Sequence, residues 1–146
     1  MKANIICSQI EFSSPEFAKA LQIRTEVLRK PLGLVFATDE LKKEVGYFHF
    51  VAEVSGQIVG TLMLVPLSTS KLKMRQVAVL KSHQGVGVGQ ALVERAEKFA
   101  RENSYREIEL HARDTAVPFY LKLGYEIFGE NFHEVGILHS AMKKLV

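Results

Sequence analysis

Three glycines in five residues, Gly85, Gly87 and Gly89, constrain this chain more than any other feature. They fall between segments of different period. Before them, Lys71 to Val79 reads as a strand. After them, Val88, Leu92, Ala96 and Phe99 are spaced four, four and three residues apart and share one face of a helix. The order strand, glycine turn, helix puts the turn at the helix N-terminus. Glycine lets a backbone approach a ligand with no Cβ in the way. The helix start adds unpaired N–H groups and the positive end of its dipole. Together these suit a pyrophosphate. A flexible strand-to-helix turn is the plainer alternative.

Two common phosphate loops are excluded. A Walker loop needs a Gly-Lys pair, and the sequence has none. The dinucleotide fingerprint needs a sixth-position glycine. Counting from Gly85 that position is Gln90, and from Gly87 it is Leu92. What remains is Gln/Arg-x-x-Gly-x-Gly, met by Gln84, Gly87 and Gly89.

The rest of the chain reads as mixed α/β. Ile5 to Ile10 is a first strand. Ser13-Ser14-Pro15-Glu16 starts a helix, since serine caps and proline fits the first turn. Pro31-Leu32-Gly33 ends it, and Asp39 to Val45 suggests a second, short helix. Phe48 to Val54 and Ile58 to Val65 flank the turn Ser55-Gly56-Gln57 as a hairpin. Pro66 to Ser70 turns the chain into Lys71 to Val79. In the helix after the glycines, Glu94–Lys98 and Glu97–Arg101 are expected on the wetter side at i,i+4 spacing. Glu107 to Ala112 is a strand, Ala116 to Leu123 a short helix, and Gly124 its stop. Tyr125 to Phe128 and Gly136 to Met142 are the last strands. One domain over residues 1–146 is expected, with no internal repeat or linker.

Composition narrows the function. The net charge is +3, from 19 Lys and Arg against 16 Asp and Glu, and the basic residues are dispersed. No nucleic-acid partner is expected. Apolar residues are 47% of the chain, yet no run approaches a membrane span. Met1 to Ser8 reaches Glu11 after too few apolar residues for a secretory signal. A single cysteine, Cys7, forms no internal disulfide. A cytoplasmic protein is the expectation. No bound metal is expected, because His49, His83, His111, His133 and His139 show no ligand spacing.

Gln76-Val77-Ala78-Val79, four residues, then Gln84 to Leu92 resembles the acetyl-CoA-binding motif of the GNAT superfamily of N-acetyltransferases. A second match follows. Ala116-Val117-Pro118-Phe119-Tyr120-Leu121-Lys122-Leu123-Gly124-Tyr125 resembles that family's Phe-Tyr-x-Lys-x-Gly-Phe/Tyr segment. Close resemblance covers about Lys71 to Tyr125. The run Glu134-Val135-Gly136-Ile137-Leu138-His139-x-x-Met142, with Leu110-His111-Ala112, is similar to a less characterised branch. The resemblance implies a largely antiparallel sheet of six to seven strands flanked by about four helices. It implies acetyl-CoA as co-substrate and a primary amine as acceptor, either a small molecule or a protein amine. A homodimer is a family habit.

Roles follow residue by residue from that resemblance. Backbone N–H groups of Gly85, Val86, Gly87, Val88, Gly89 and Gln90 would hold the pyrophosphate, with Gln84 shaping the turn. The main chain of Val77, Ala78 and Val79 would pair with the pantetheine arm, and an N–H near Val77 would face the oxyanion. Phe119 and Tyr120 would lie at the cofactor, with Tyr120 as the catalytic general acid that gives the departing thiolate a proton, orienting the sulfur being its lesser role. Core packing is the other role for these side chains.

The amine needs a base. His111 is the candidate, a core histidine the alternative. Glu109, two residues earlier, would point the same way, and His49, Glu53 and His139 are candidates to line the acceptor site, His49 and His139 as substrate-binding residues. Arg24 suits an anionic group on the substrate, or else a surface place with a buried stem. Arg113 is also near the proposed site. Met74-Arg75-Gln76 carries no carboxylate where some relatives place their base. A non-catalytic acyl-CoA-binding module is the rival. It would keep Gln84 to Gln90 and not need Tyr120.

Overall fold

The computed structural model describes residues 4–33 and 41–146. The strands are β1 (Ile5–Ile10), β2 (Phe48–Val54), β3 (Gln57–Pro66), β4 (Lys71–Val79), β5 (Glu107–Arg113), β6 (Glu126–Glu134) and β7 (Ile137–Leu145). The helices are α1 (Pro15–Arg24), α2 (Val88–Glu102) and α3 (Val117–Lys122). The strand order is β1-β2-β3-β4-β5-β7-β6. β4 and β5 pair in parallel. The pairs β1/β2, β2/β3, β5/β7 and β6/β7 are antiparallel. This is the mixed, largely antiparallel sheet expected, at seven strands.

Three α-helices are described in full, against about four expected. Of the expected helix from Asp39 to Val45, Asp39 and Glu40 lie outside the described residues, Leu41 and Lys42 are α-helical, and Lys43–Gly46 continues as a 3-10 turn that leads into extended Tyr47.

Two compact units are distinguished, Met1–Val65 with Gln76–Ala96, and Pro66–Arg75 with Glu97–Val146. In the first, the Ser14 hydroxyl accepts the Phe17 N–H at 3.1 Å and Pro15 opens α1. The coil after Arg24 widens to a π-helical turn over Thr25–Arg29 and tightens to a 3-10 turn over Lys30–Leu32. Gly33, at φ +69°, closes it. Phe50, Val51, Val59, Leu62 and Leu64 are buried. The start of α2 seats against Gly60 of β3. A Cβ there would lie 3.0 Å from both Val88 Cγ1 and Leu92 Cδ1.

In the second unit, β5 buries Ile108, Leu110 and Ala112. Alternation turns Glu107, Glu109, His111 and Arg113 to the other face. β6 and β7 run longer than their sequence suggests. The expected strand ends at Phe128, yet the chain only bulges there, with Gly129 at φ +70°, and pairing resumes at Phe132.

Glu97 overturns its expected place on the wetter side. It is buried, accepting the Tyr125 hydroxyl at 3.0 Å and Lys144 Nζ at 3.1 and 3.2 Å. Lys144 also donates to the Leu123 carbonyl at 2.7 Å. The i,i+4 rule sees only one helix, and Glu97's partners are 28 and 47 residues away in sequence.

Gly60→Ala should destabilise the protein by about 1–3 kcal/mol, because two branched side chains must yield to the new methyl group. Urea unfolding measures it. An unchanged midpoint would show that the start of α2 shifts freely on β3.

Candidate active site

The strand-to-helix turn is built in steps. Leu80 N–H donates to the Val59 carbonyl at 2.8 Å, tying the end of β4 to β3. Lys81–His83 forms one 3-10 turn. The Gln84 side-chain amide then donates to the Val79 carbonyl at 2.9 Å, drawing the loop back onto the strand that precedes it. Gly85 and Gly87 stand at φ +78° and +95°, where a side chain is strained. The Gly87 carbonyl accepts the Ala91 N–H at 3.0 Å and begins the helical ladder. Val88 is buried and anchors the helix, while Val86 projects outward. Gly89 lies within α2, and the Gln90 amide donates to Glu94 at 3.0 Å.

β4 changes course before that turn. Its registered pairing with β5 runs from Lys71↔Glu107 to Met74↔Leu110. Two residues on, Gln76 adopts φ +56°. A non-glycine residue in the left-handed region costs on the order of 1–2 kcal/mol. Leu72, Met74 and Ala78 are buried, and Val77 and Val79 are half-buried.

Tyr120 is buried on α3. Its ring meets Phe119 edge-on at 4.9 Å between centroids and Tyr125 at 5.7 Å. Burial pushes its hydroxyl up to about 12. Gly124, at φ +94°, ends the helix. Gly124 N–H donates to the Leu121 carbonyl and Tyr125 N–H to that of Tyr120, at 3.1 and 3.0 Å. Burial, and then the Glu97 carboxylate, raise the Tyr125 hydroxyl as well.

The histidines separate into two kinds. His49 is buried, with Nε2 2.8 Å from the Glu44 carbonyl and its ring edge-on to Phe17 at 4.9 Å. Burial lowers its pKa against the opposing pull of that carbonyl. It is a satisfied core histidine. His111 is exposed, which corrects the core alternative for that residue. Its Nδ1 is 3.3 Å from Glu134 Oε1 and 3.4 Å from Lys73 Nζ. His139 is buried, with Nδ1 2.7 Å from the Ile137 carbonyl and Nε2 3.6 Å from Glu134 Oε2. Burial first, then Arg75, lower the Lys73 pKa, opposed by Glu134 and Glu109.

Arg24 corrects the expectation of a surface place. It is buried, and both guanidinium ends meet the Glu44 carboxylate at 2.7 Å. In this structure the fork that would receive an anionic substrate is taken up by Glu44. Glu53 is half-buried at a register shift in β2, and Arg113 lies opposite His139 in the β5/β7 ladder. Glu134 and Lys73 carry no local sequence signal for this grouping. Glu134 opens the C-terminal run that ends at Met142, and its proximity to His111 needs the β5-β7-β6 order. Among the described residues, no group of His, Cys, Asp or Glu is arranged to hold a metal, and no helix is long and apolar enough to cross a membrane.

A family model described as an acetyltransferase (GNAT) domain matches residues 23–146, and the chain belongs to that family. An uncharacterised N-acetyltransferase of Bacillus subtilis (strain 168), YjcF, is 40% identical over 73 residues, 49% of this chain and 52% of that protein. The chain spans about half the length of the curated relatives it matches. Among solved structures, a "putative N-acetyltransferase" from Lactobacillus plantarum aligns with TM-score 0.81 at 25% identity, covering 99% of both chains. A GNAT family acetyltransferase from Elizabethkingia anophelis, solved with acetyl-CoA bound, aligns with TM-score 0.76 at 16% identity, covering 99% of this chain and 100% of that one. At that identity the likeness is one of fold.

His49 carries a test of the burial argument. Its folded pKa lies below the ordinary 6.5, so its stabilising contribution is present above pH 6.5 and is lost as pH falls through the folded value. The thermal midpoint should fall in that acid range, and His49→Gln should flatten the fall. An equal acid slope in the variant would remove His49 as a cause.

Proposed function

We propose that residues 1–146 act as one N-acetyltransferase domain, moving an acetyl group from acetyl-CoA to a primary amine by direct attack in a ternary complex. Family membership supports the reaction class. The observation that carries the reading is the pair of left-handed glycines, Gly85 and Gly87, held against Val79 by Gln84 at the start of α2. The N–H groups from Gly85 to Gln90 would bind the pyrophosphate. The bent end of β4 would offer the main chain of Val77, Ala78 and Val79 to the pantetheine arm, with an N–H near Val77 for the oxyanion. No nucleophilic side chain is required, because the amine attacks the thioester itself.

Phe119 and Tyr120 would lie at the thioester. With its hydroxyl near 12, Tyr120 stays a neutral phenol at pH 7. A thiol ionises near ~8.5, so full transfer from that phenol to a thiolate is uphill by about 5 kcal/mol. Tyr120 therefore serves best as a hydrogen-bond donor to the departing sulfur. His111 accepts the proton of the amine. A small-molecule amine is the favoured acceptor and a protein amine the alternative. Cytoplasmic placement and a homodimer complete the reading.

Thermal unfolding with acetyl-CoA, CoA and NAD tests the cofactor. A ligand at 100 times its Kd adds about 2.7 kcal/mol. The midpoint should rise by roughly 5–15 °C with acetyl-CoA and CoA but not with NAD. No shift at saturation would sink the glycine-loop assignment.

Tyr120→Phe should lower kcat about 10- to 100-fold while keeping the thermal shift. The buried, aromatic packing of Tyr120 also fits a non-catalytic acyl-CoA-binding module. Full turnover in the variant would leave Tyr120 that core role alone.

A further inference from the structure

We propose that Glu134 is a positioning residue whose two carboxylate oxygens hold His111 and His139, and that the three together form the proton-accepting site for the acceptor amine. The proposal rests on the acetyl-transfer reading above and adds the residue that orients its base.

The geometry begins in the β6/β7 hairpin. Val135 and Gly136, at φ +47° and +75°, make a two-residue turn with both residues left-handed. A β-branched residue is strained there. The turn sets Glu134 opposite Ile137, and Phe132 opposite His139. Phe132 stacks on His139 at 5.9 Å and meets the edge of His111 at 4.8 Å, contacting both imidazoles. Glu134 Oε1 then lies 3.3 Å from His111 Nδ1, and Oε2 lies 3.6 Å from His139 Nε2.

Tautomers give this arrangement its chemistry. When His111 Nδ1 carries hydrogen and donates to Glu134, Nε2 presents its lone pair to the amine. When Lys73 donates to Nδ1 instead, the hydrogen moves to Nε2 and the ring cannot accept there. Glu134 and Lys73 thus compete for one nitrogen, at 3.3 and 3.4 Å. The charged neighbours of Lys73 are Arg75 on its own strand, Glu109 on β5 and Glu134 on β6. His139 Nδ1 lies 2.7 Å from the Ile137 carbonyl, and its Nε2 faces Glu134 Oε2 at 3.6 Å.

The proton count balances. An ammonium gives one proton to His111 Nε2. The freed lone pair forms the N–C bond, and the C–S bond breaks with its electron pair on sulfur. The nitrogen releases its second proton, which ends on the thiol. Tyr120 holds the sulfur by a hydrogen bond meanwhile.

Two readouts on the full chain test this. The first is the imidazole nitrogen NMR spectrum at fixed neutral pH. Glu134→Gln should change the His111 and His139 signals together and leave His49 unmoved, and Glu134→Asp should restore much of the original pattern. The second is CoA release from acetyl-CoA with tyramine, an alkylamine that needs a base, and with hydrazine, a much weaker base. Glu134→Gln should lower kcat for tyramine about 100-fold and spare hydrazine, with KM for acetyl-CoA unchanged.

Unchanged imidazole signals would overturn the proposal, whether or not either amine turns over. Equal losses with both amines would overturn the base role and leave a structural one. Linked imidazole signals in a chain with no acetyl-CoA thermal shift would overturn the acetyl-transfer reading, and the amine site with it, while leaving the Glu134 coupling standing.

Discussion

Left-handed backbone between Gln76 and Gly87 is the constraint on which the rest of the candidate site depends. β4 is a regular partner of β5 as far as Met74. Gln76 then adopts φ +56°, and the strand leaves that register. Gly85 and Gly87 turn the chain a second time, into α2. A strand that stayed regular would have its N–H and C=O groups taken up by its ladders. The bend is what makes main-chain groups near Val77 candidates for a ligand. The Gln84 bond to Val79 and the seat of Val88 on Gly60 hold both ends of the turn. The cost is local strain at Gln76, offset by the buried packing of Ala78 and α2.

Each unit also contains a buried carboxylate held by a cation. In the first it is Glu44, gripped at two points by Arg24, with His49 on its carbonyl. In the second it is Glu97, shared by Lys144 and Tyr125. Removing one partner from such a pair typically costs about 3–5 kcal/mol, since a charge is left in the interior without compensation. Arg24 and Glu44 join α1 to the turn that precedes β2. Lys144, through Glu97 and the Leu123 carbonyl, fixes the turn after α3, and with it the end of the helix that carries Tyr120.

Local patterns carried most of the fold. The helical face of Val88, Leu92, Ala96 and Phe99 is buried as its spacing requires. Ser14 caps α1, and Gly124 stops α3. The Gly85–Gly87 turn was legible because glycine there has a steric reason. What escaped was decided by partners remote in sequence. Arg24 looked amphipathic until Glu44 closed on it, and Glu97 looked exposed until Lys144 and Tyr125 reached it. The strand expected to end at Phe128 continues to Glu134 past a bulge, which interrupts the local pattern without ending the pairing. The grouping of Lys73, His111, Glu134 and His139 follows from strand order, which no local period encodes.

The two ends of the proposed chemistry call for opposite environments, and the structure supplies both kinds. A donor to sulfur must keep its hydrogen throughout, and burial does that for Tyr120 by making the phenolate costly. A base must reach water and exchange its proton after each turnover, so it cannot be sealed among aromatics. His111 is exposed and held at one nitrogen by a carboxylate, whereas His49 is enclosed with Nε2 already engaged by a backbone carbonyl. Three histidines stood as candidates for that proton or the acceptor. Of these three, His111 is the exposed one, which suits the proposed base, and Glu134 Oε1 lies 3.3 Å from its Nδ1.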